Sequence, residues 1–216
     1  MATFKDGING PFRGKVGAVV GYQWKGVWVM RSLPRPVRNR KWTEKQLANH
    51  ARMRIMQKFL GANLDFIRRG FGLVPEIERM SAYNAAMSYN KMNAIKGEFP
   101  NLEIDYDKIV FAKGDLLGQD DIKFKLNGSK LEFTWVPTID NYMRRGDQIM
   151  ILLAHKEQSS PEGIVSGARR EEGKESLSIA HLSKGTELHI YVAFIADDRK
   201  QVSNSRYLGS VEVVED

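Results

Sequence analysis

The 216-residue sequence contains no cysteine. That excludes disulfide staples, thiolate catalysis and cysteine-based zinc sites. It also lacks any apolar run near the roughly 18–20 residues that span a bilayer. The N-terminal MATFKDGINGPFRGK has neither an apolar core nor a cleavage site, so it does not read as a secretory signal. A cytoplasmic or virion-associated setting is therefore expected. Histidine is scarce, with four residues in all. His50 has Arg54 at i+4, which is no metal pair. His181 and His189 are separated by a turn, and a site built on them would need a third ligand. For each of the four, His155 included, a surface or satisfied histidine is the plainer reading. Asp105 and Asp107, and the Asp120-Asp121 pair, could meet calcium, but neither fits D-x-[DN]-x-[DN]-G. H-E-x-x-H, the nucleophile elbow and a Ser-His-Asp spacing are all missing. No catalytic residue, metal site or cofactor is expected.

What is present has an ordinary globular balance, 42% hydrophobic and 27% charged. Disorder throughout is excluded. The net charge of +7 conceals an asymmetry. Residues 1–100 carry 18 Lys and Arg against 6 Asp and Glu; residues 101–216 carry 15 against 20. The split predicts two parts, a basic N-terminal region over 1–100 and a second domain over 101–216.

The stretch GKVGAVVGYQWKG, residues 14–26, is rich in glycine. Its spacing matches neither the phosphate loop nor the dinucleotide fingerprint. Val16, Ala18, Val20, Tyr22 and Trp24 alternate with Lys15, Gly17, Gly21 and Gln23, the strand period of two. Lys25-Gly26 reads as a turn and residues 27–30 as a returning strand. Glycine in such a hairpin marks a bulge, a bend or close approach of another chain segment.

Residues 31–42, RSLPRPVRNRKW, place Arg31, Arg35, Arg38, Arg40 and Lys41 among Pro34 and Pro36. Proline holds this segment extended. It reads as an arm that crosses nucleic acid or an acidic neighbour, or as a solvated linker. A capping box at Thr43-Glu44-Lys45-Gln46 starts a helix. Leu47, Ala51, Ile55, Phe59, Leu60, Leu64 and Ile67 form its stripe, and Gly70 and Gly72 end it. A second helix follows Pro75, with Met80, Tyr83, Ala86, Met87 and Ile95 inward. Tyr83, Tyr89, Asn84, Asn90 and Asn93 offer either a polar recognition face or ordinary packing and surface.

Beyond residue 102 the pattern turns to short strands. They fall at residues 109–112, at 122–126 and 131–135 around Asn127-Gly128, at 148–154, near 177–179, at 188–195 and at 210–214. About seven short strands in such a span signal an antiparallel sandwich. The fold class expected is α+β: an N-terminal β-hairpin and basic arm, a two-helix segment, and a C-terminal β-sandwich.

Trp135-Val136-Pro137 and the run from Leu182 through Gly185 to Leu188 resemble a fibronectin type III or immunoglobulin-like sandwich. The corner position usually held by tyrosine is Leu188 here. The whole chain resembles an uncharacterised family of Bacteroidetes proteins, a domain of unknown function. The matching residues are the opening MATF, Gly14-Lys15-Val16-Gly17, Val20-Gly21, Trp24-Lys25-Gly26, Arg31-Ser32, Pro34, Thr43 and Gln46, with Tyr106 and Gly114. The resemblance implies one recurring two-part design and no reaction.

Two functional readings stand together. In the first, the chain is a non-enzymatic structural subunit of a virion or filament. Val20, Tyr22, Trp24 and Trp28 put apolar surface on more than one face of a ribbon too small to bury it, so it would bridge neighbours in a homo-oligomer or larger assembly. In the second, Arg31, Arg35, Arg38, Arg40, Lys41, Lys45, Arg52 and Arg54 neutralise nucleic-acid phosphates, with Trp42 available for stacking on bases. A third possibility, a ligand-binding sandwich, requires an aromatic platform at Trp135 or Tyr142.

Overall fold

The computed structural model describes residues 2–4, 7, 10–34, 41–73, 80–137, 145–156 and 160–213. Pro36, Pro75, Tyr142 and Val214 lie outside them, as do Arg35, Arg38 and Arg40. The chain divides into two units, Met1–Thr43 and Glu44–Asp216.

The first unit is an antiparallel meander of β1 (Thr3–Phe4), β2 (Phe12–Val16), β3 (Val19–Trp24) and β4 (Val27–Ser32), in that order. The alternation expected from Val16 to Trp24 is interrupted, because Gly17 and Ala18 turn β2 into β3. The glycines do allow close approach. A Cβ on Gly21 would meet the carbonyl oxygen of Phe12 at 2.4 Å and its ring at 2.8 Å.

The second unit opens with α1 (Glu44–Ala62), directly after Thr43, where the capping box places its start. The single long helix expected to Gly70 breaks at Asn63. Its buried amide donates to the Phe59 carbonyl at 3.0 Å, and α2 (Leu64–Phe71) resumes beyond it. Gly70 does not terminate a helix; it sits inside α2. A Cβ there would come within 2.2 Å of the Phe111 carbonyl oxygen. Helix α3 (Ala82–Asn93) is capped by Ser81, whose hydroxyl accepts from Asn84 N–H at 3.2 Å.

Residues 109–112 form no strand, contrary to the apolar pattern. Their polar groups are bonded elsewhere. Asn90 Oδ1 accepts from Val110 N–H and Asn90 Nδ2 donates to Val110 O, both at 2.8 Å. Ser205 Oγ accepts from Phe111 N–H at 3.1 Å. The segment is a wedge: the Phe111 ring meets Phe66 of α2 edge-on at 5.9 Å and Tyr191 at 6.1 Å. Beside it, β5 (Ile95–Lys96) pairs with β6 (Glu103–Ile104).

The sandwich has one sheet of three strands, β7 (Lys123–Asn127), β8 (Lys130–Thr134) and β11 (Lys174–Ser178), ordered β11-β8-β7. The other contains β9 (Gln148–Ala154), β10 (Glu162–Ile164), β12 (Glu187–Ile195) and β13 (Arg206–Glu212), ordered β10-β9-β12-β13. All pairings are antiparallel. Three strands facing four agree with the fibronectin-like sandwich that the sequence resembles.

Strands β9 and β12 are buried on both faces. Ile149, Ile151, Leu153, Leu188, Ile190, Val192 and Phe194 enter the core between the sheets, together with Leu131, Phe133 and Trp135. Met150, Leu152, Ala154, Tyr191, Ala193 and Ile195 enter a second core with Met56, Leu60, Ile67 and Phe111. The unbroken apolar runs in β9 and β12 follow from this double burial. The division expected at residue 100 is therefore displaced to Thr43, because the helices share a core with the sandwich.

Candidate functional site

Cross-strand partners share a sheet face. In the first unit, Val20 pairs with Arg31, Tyr22 with Val29 and Trp24 with Val27, all on one side. Trp28, opposite Gln23, and Met30, opposite Gly21, lie on the other. Among the described residues of this unit neither side is covered: Trp24 is 47% exposed, Val27 57%, Trp28 39% and Met30 67%. Among the described residues of this unit, only Gly21 is buried. Lys25 extends its ammonium over the Trp24 ring, 5.9 Å from the centroid.

The basic segment falls into separate groups. Arg31, Lys41 and Trp42 are exposed in the first unit, and Lys45, Arg52 and Arg54 are exposed on the first half of α1. Lys45 and Arg52, seven residues apart, share a side of that helix, whereas Arg54 projects across from Arg52. Arg35, Arg38 and Arg40 lie outside the described residues.

The polar face suggested for α3 is partly structural, since Asn90 is the buried clamp on Val110. Trp135 is no ligand platform. It is buried, its indole N–H donates to the Arg170 carbonyl at 2.9 Å, and its ring meets Phe194 edge-on at 5.9 Å. The paired acidic residues are engaged within the fold. Asp105 holds Lys108 at 3.0 Å, Asp120 lies 3.6 Å from Arg206, and Asp121 accepts from Gln119 Nε2 at 2.7 Å. Among the described residues, no cluster of three or more His, Cys, Asp or Glu side chains is placed to hold a metal ion. Nor is any helix of the described residues long and apolar enough to cross a membrane.

Sequence reasoning missed a cleft of about 620 Å³ in the second unit. It lies where α1, β6 and the ends of β9 and β12 meet. Its floor is a stack of Tyr106 on His189, with centroids 3.6 Å apart and planes 9° from parallel. His189 Nδ1 is 3.0 Å from Tyr207 Oη, and Tyr191 Oη donates to Tyr106 O at 2.7 Å. Burial pushes the His189 pKa below the usual imidazole value, with Lys96 acting in the same direction; Glu187 and Asp107 oppose the shift. Burial likewise raises the pKa values of Tyr106, Tyr191 and Tyr207. A second opening of about 750 Å³ adjoins the cleft and shares Tyr106, His155, Lys156, Glu187 and His189 with it. At its far side His181 Nε2 is 2.8 Å from Glu162 Oε2. The only sequence signal was His189 among apolar residues of a central strand, and spacing did not bring it to His155 or Tyr106.

Comparison with known proteins gives little that bears on activity. Over 48% of its length the chain is similar to the solved structure of the fn3 domain of human contactin 1, at 13% identity. The match covers 82% of that domain with a TM-score of 0.33. No curated protein matches. A family profile does match residues 11–209, so the chain belongs to the family of unknown function DUF6266.

Proposed function

We propose that this protein is a non-enzymatic assembly subunit of the virion or filament type, whose N-terminal sheet and basic arm bridge neighbouring molecules. The observation that carries this reading is the first unit's exposure of apolar side chains on both faces. A single-layer sheet gains stability by burying at least one face against another layer. Here Trp24 and Val27 on one side and Trp28 and Met30 on the other await such a layer. A neighbouring subunit supplies it.

Charge supports the same arrangement. Residues 1–43 carry 9 Lys and Arg against 1 Asp, whereas residues 44–216 carry 24 against 25. A basic sheet is attracted to the more acidic body of another copy. Light scattering and electron microscopy of the purified full chain test the proposal. Concentration-dependent growth into regular assemblies is expected. A strict monomer at high concentration, with a protease-sensitive segment over residues 1–42, overturns it.

A second reading rests on the exposed cations Arg31, Lys41, Lys45, Arg52 and Arg54 with exposed Trp42. In it, the 31–54 segment binds nucleic acid through phosphates and base stacking. Gel shifts at rising salt decide this. Affinity then falls by about 0.9 log units per log unit of salt for each phosphate contacted. Absence of any shift at low salt removes the reading.

A further inference from the structure

We infer that the cleft over the Tyr106–His189 stack is a binding site for a small amphipathic anion, an apolar body carrying a carboxylate or phosphate group. The size of the cavity, about 620 Å³, is within the range of small-molecule pockets, roughly 300–1,000 Å³. Its lining includes the apolar side chains of Ile55 and Phe59 from α1, with Leu102 and Ile104. It also includes Lys58, Lys96 and Lys156, which are exposed. Among the described residues, none of these lysines forms a salt bridge. Glu103 and Glu187 also line the cleft, which leaves one net positive charge.

His189, 9% exposed, also lines the cleft. Its Nδ1 is taken up by Tyr207 Oη. Among the described residues, its other nitrogen, Nε2, has no hydrogen-bond partner. Nε2 is not wholly buried. In the tautomer whose Nδ1 accepts from the Tyr207 phenol, the imidazole proton resides on Nε2, where a bound anion accepts it. The site is rigid where recognition occurs. Tyr106 is held by its stack, by the Tyr191 hydroxyl on its carbonyl, and by the Phe59 ring set edge-on at 6.1 Å. The cleft lies wholly within the second unit, so it is independent of the assembly reading.

The test uses the full chain and anilinonaphthalene sulfonate as the probe, with fluorescence and the His189 imidazole resonance as readouts. Wild-type protein is expected to bind the probe saturably and to shift that resonance. Displacement by dodecanoate rather than dodecyl phosphate identifies a carboxylate site, and the reverse identifies a phosphate site. The exposed triple variant Lys58→Glu, Lys96→Glu, Lys156→Glu should weaken binding by about tenfold, equivalent to roughly 1.4 kcal/mol. Filling the cavity with Ala62→Trp should abolish the resonance shift. Trp28→Ser with Met30→Ser, which changes only the N-terminal sheet, should leave the shift intact. No saturable binding, no response of His189, or a shift indifferent to both cleft variants overturns the proposal.

Discussion

Arg170 Nη2 lies 3.3 Å from Asp147 Oδ2, and both side chains are almost wholly removed from solvent. The guanidinium also sits 4.0 Å from the centroid of the Phe194 ring and donates to Leu117 O at 2.8 Å and to Gln119 Oε1 at 2.9 Å. Its own carbonyl receives the Trp135 indole. One residue thus ties the end of β8, the approach to β9, and β12. Removing one member takes from the other the opposite charge 3.3 Å away in a buried setting. Arg170→Met or Asp147→Asn should each lower unfolding free energy by about 3–5 kcal/mol. Replacing both, as Arg170→Met with Asp147→Leu, should lose less than the two single changes together. Urea denaturation of the three variants measures the coupling.

Gly70 gives an opposite sign to a common expectation. Glycine to alanine in an exposed helix interior stabilises by about 0.8–1 kcal/mol. In α2 the new methyl would meet the Phe111 carbonyl and Ala112, both within the wedge. Gly70→Ala should therefore destabilise, by roughly 1–3 kcal/mol. A shift of the thermal midpoint upward would show that α2 does not press on residues 111–112.

Stability should respond to pH at both ends of the range. The His189 pKa is lowered in the fold, so the unfolded chain binds the proton more readily. Stability from this group is present above the unfolded value of about 6.5 and is lost as pH falls through the lower folded value. The tyrosines behave in the opposite sense. Tyr106, Tyr191 and Tyr207 have raised pKa values, so their contribution is complete below about pH 10 and is lost as pH rises beyond it. The groups facing His189 are Glu187, Asp107 and Lys96, with Tyr106 and Tyr207 in contact. Urea midpoints from pH 4.5 to pH 8 should fall on the acid side, and His189→Gln should flatten that limb.

For the N-terminal sheet, Trp24→Ser with Val27→Ser alters one face, and Trp28→Ser with Met30→Ser the other. Each pair should reduce the size of assemblies in light scattering. Unfolding of the second unit should change by no more than about 0.5 kcal/mol, as exposed positions that are no part of its core ordinarily behave. Loss of assembly from only one pair would identify the face that meets a neighbour.

The sequence revealed periodic elements far better than partnerships. The runs at 148–154 and 188–195 could be read as buried strands because every second residue on both faces is apolar. Their helical cover was not legible, since double burial names no partner. Residues 109–112 carry the same apolar signal as a strand, but Asn90 and Ser205, remote in sequence, take their hydrogen bonds. Gly70 looked like punctuation because a close approach at a helix side and a helix stop use the same residue. The exposed faces of the hairpin were visible from Tyr22, Trp24 and Trp28, whose alternation sets them on opposite sides. The cleft was invisible: Tyr106 and His189 are 83 positions apart and meet only through the fold.

Strands β9 and β12 carry a consequence for dissecting the chain. A fragment cut at residue 100 would take Met56, Leu60 and Ile67 away from Met150, Leu152, Tyr191, Ala193 and Ile195, leaving this face largely open to water. Such a fragment should clump or melt at ambient temperature, whereas one beginning at Glu44 retains the lid that keeps this surface dry.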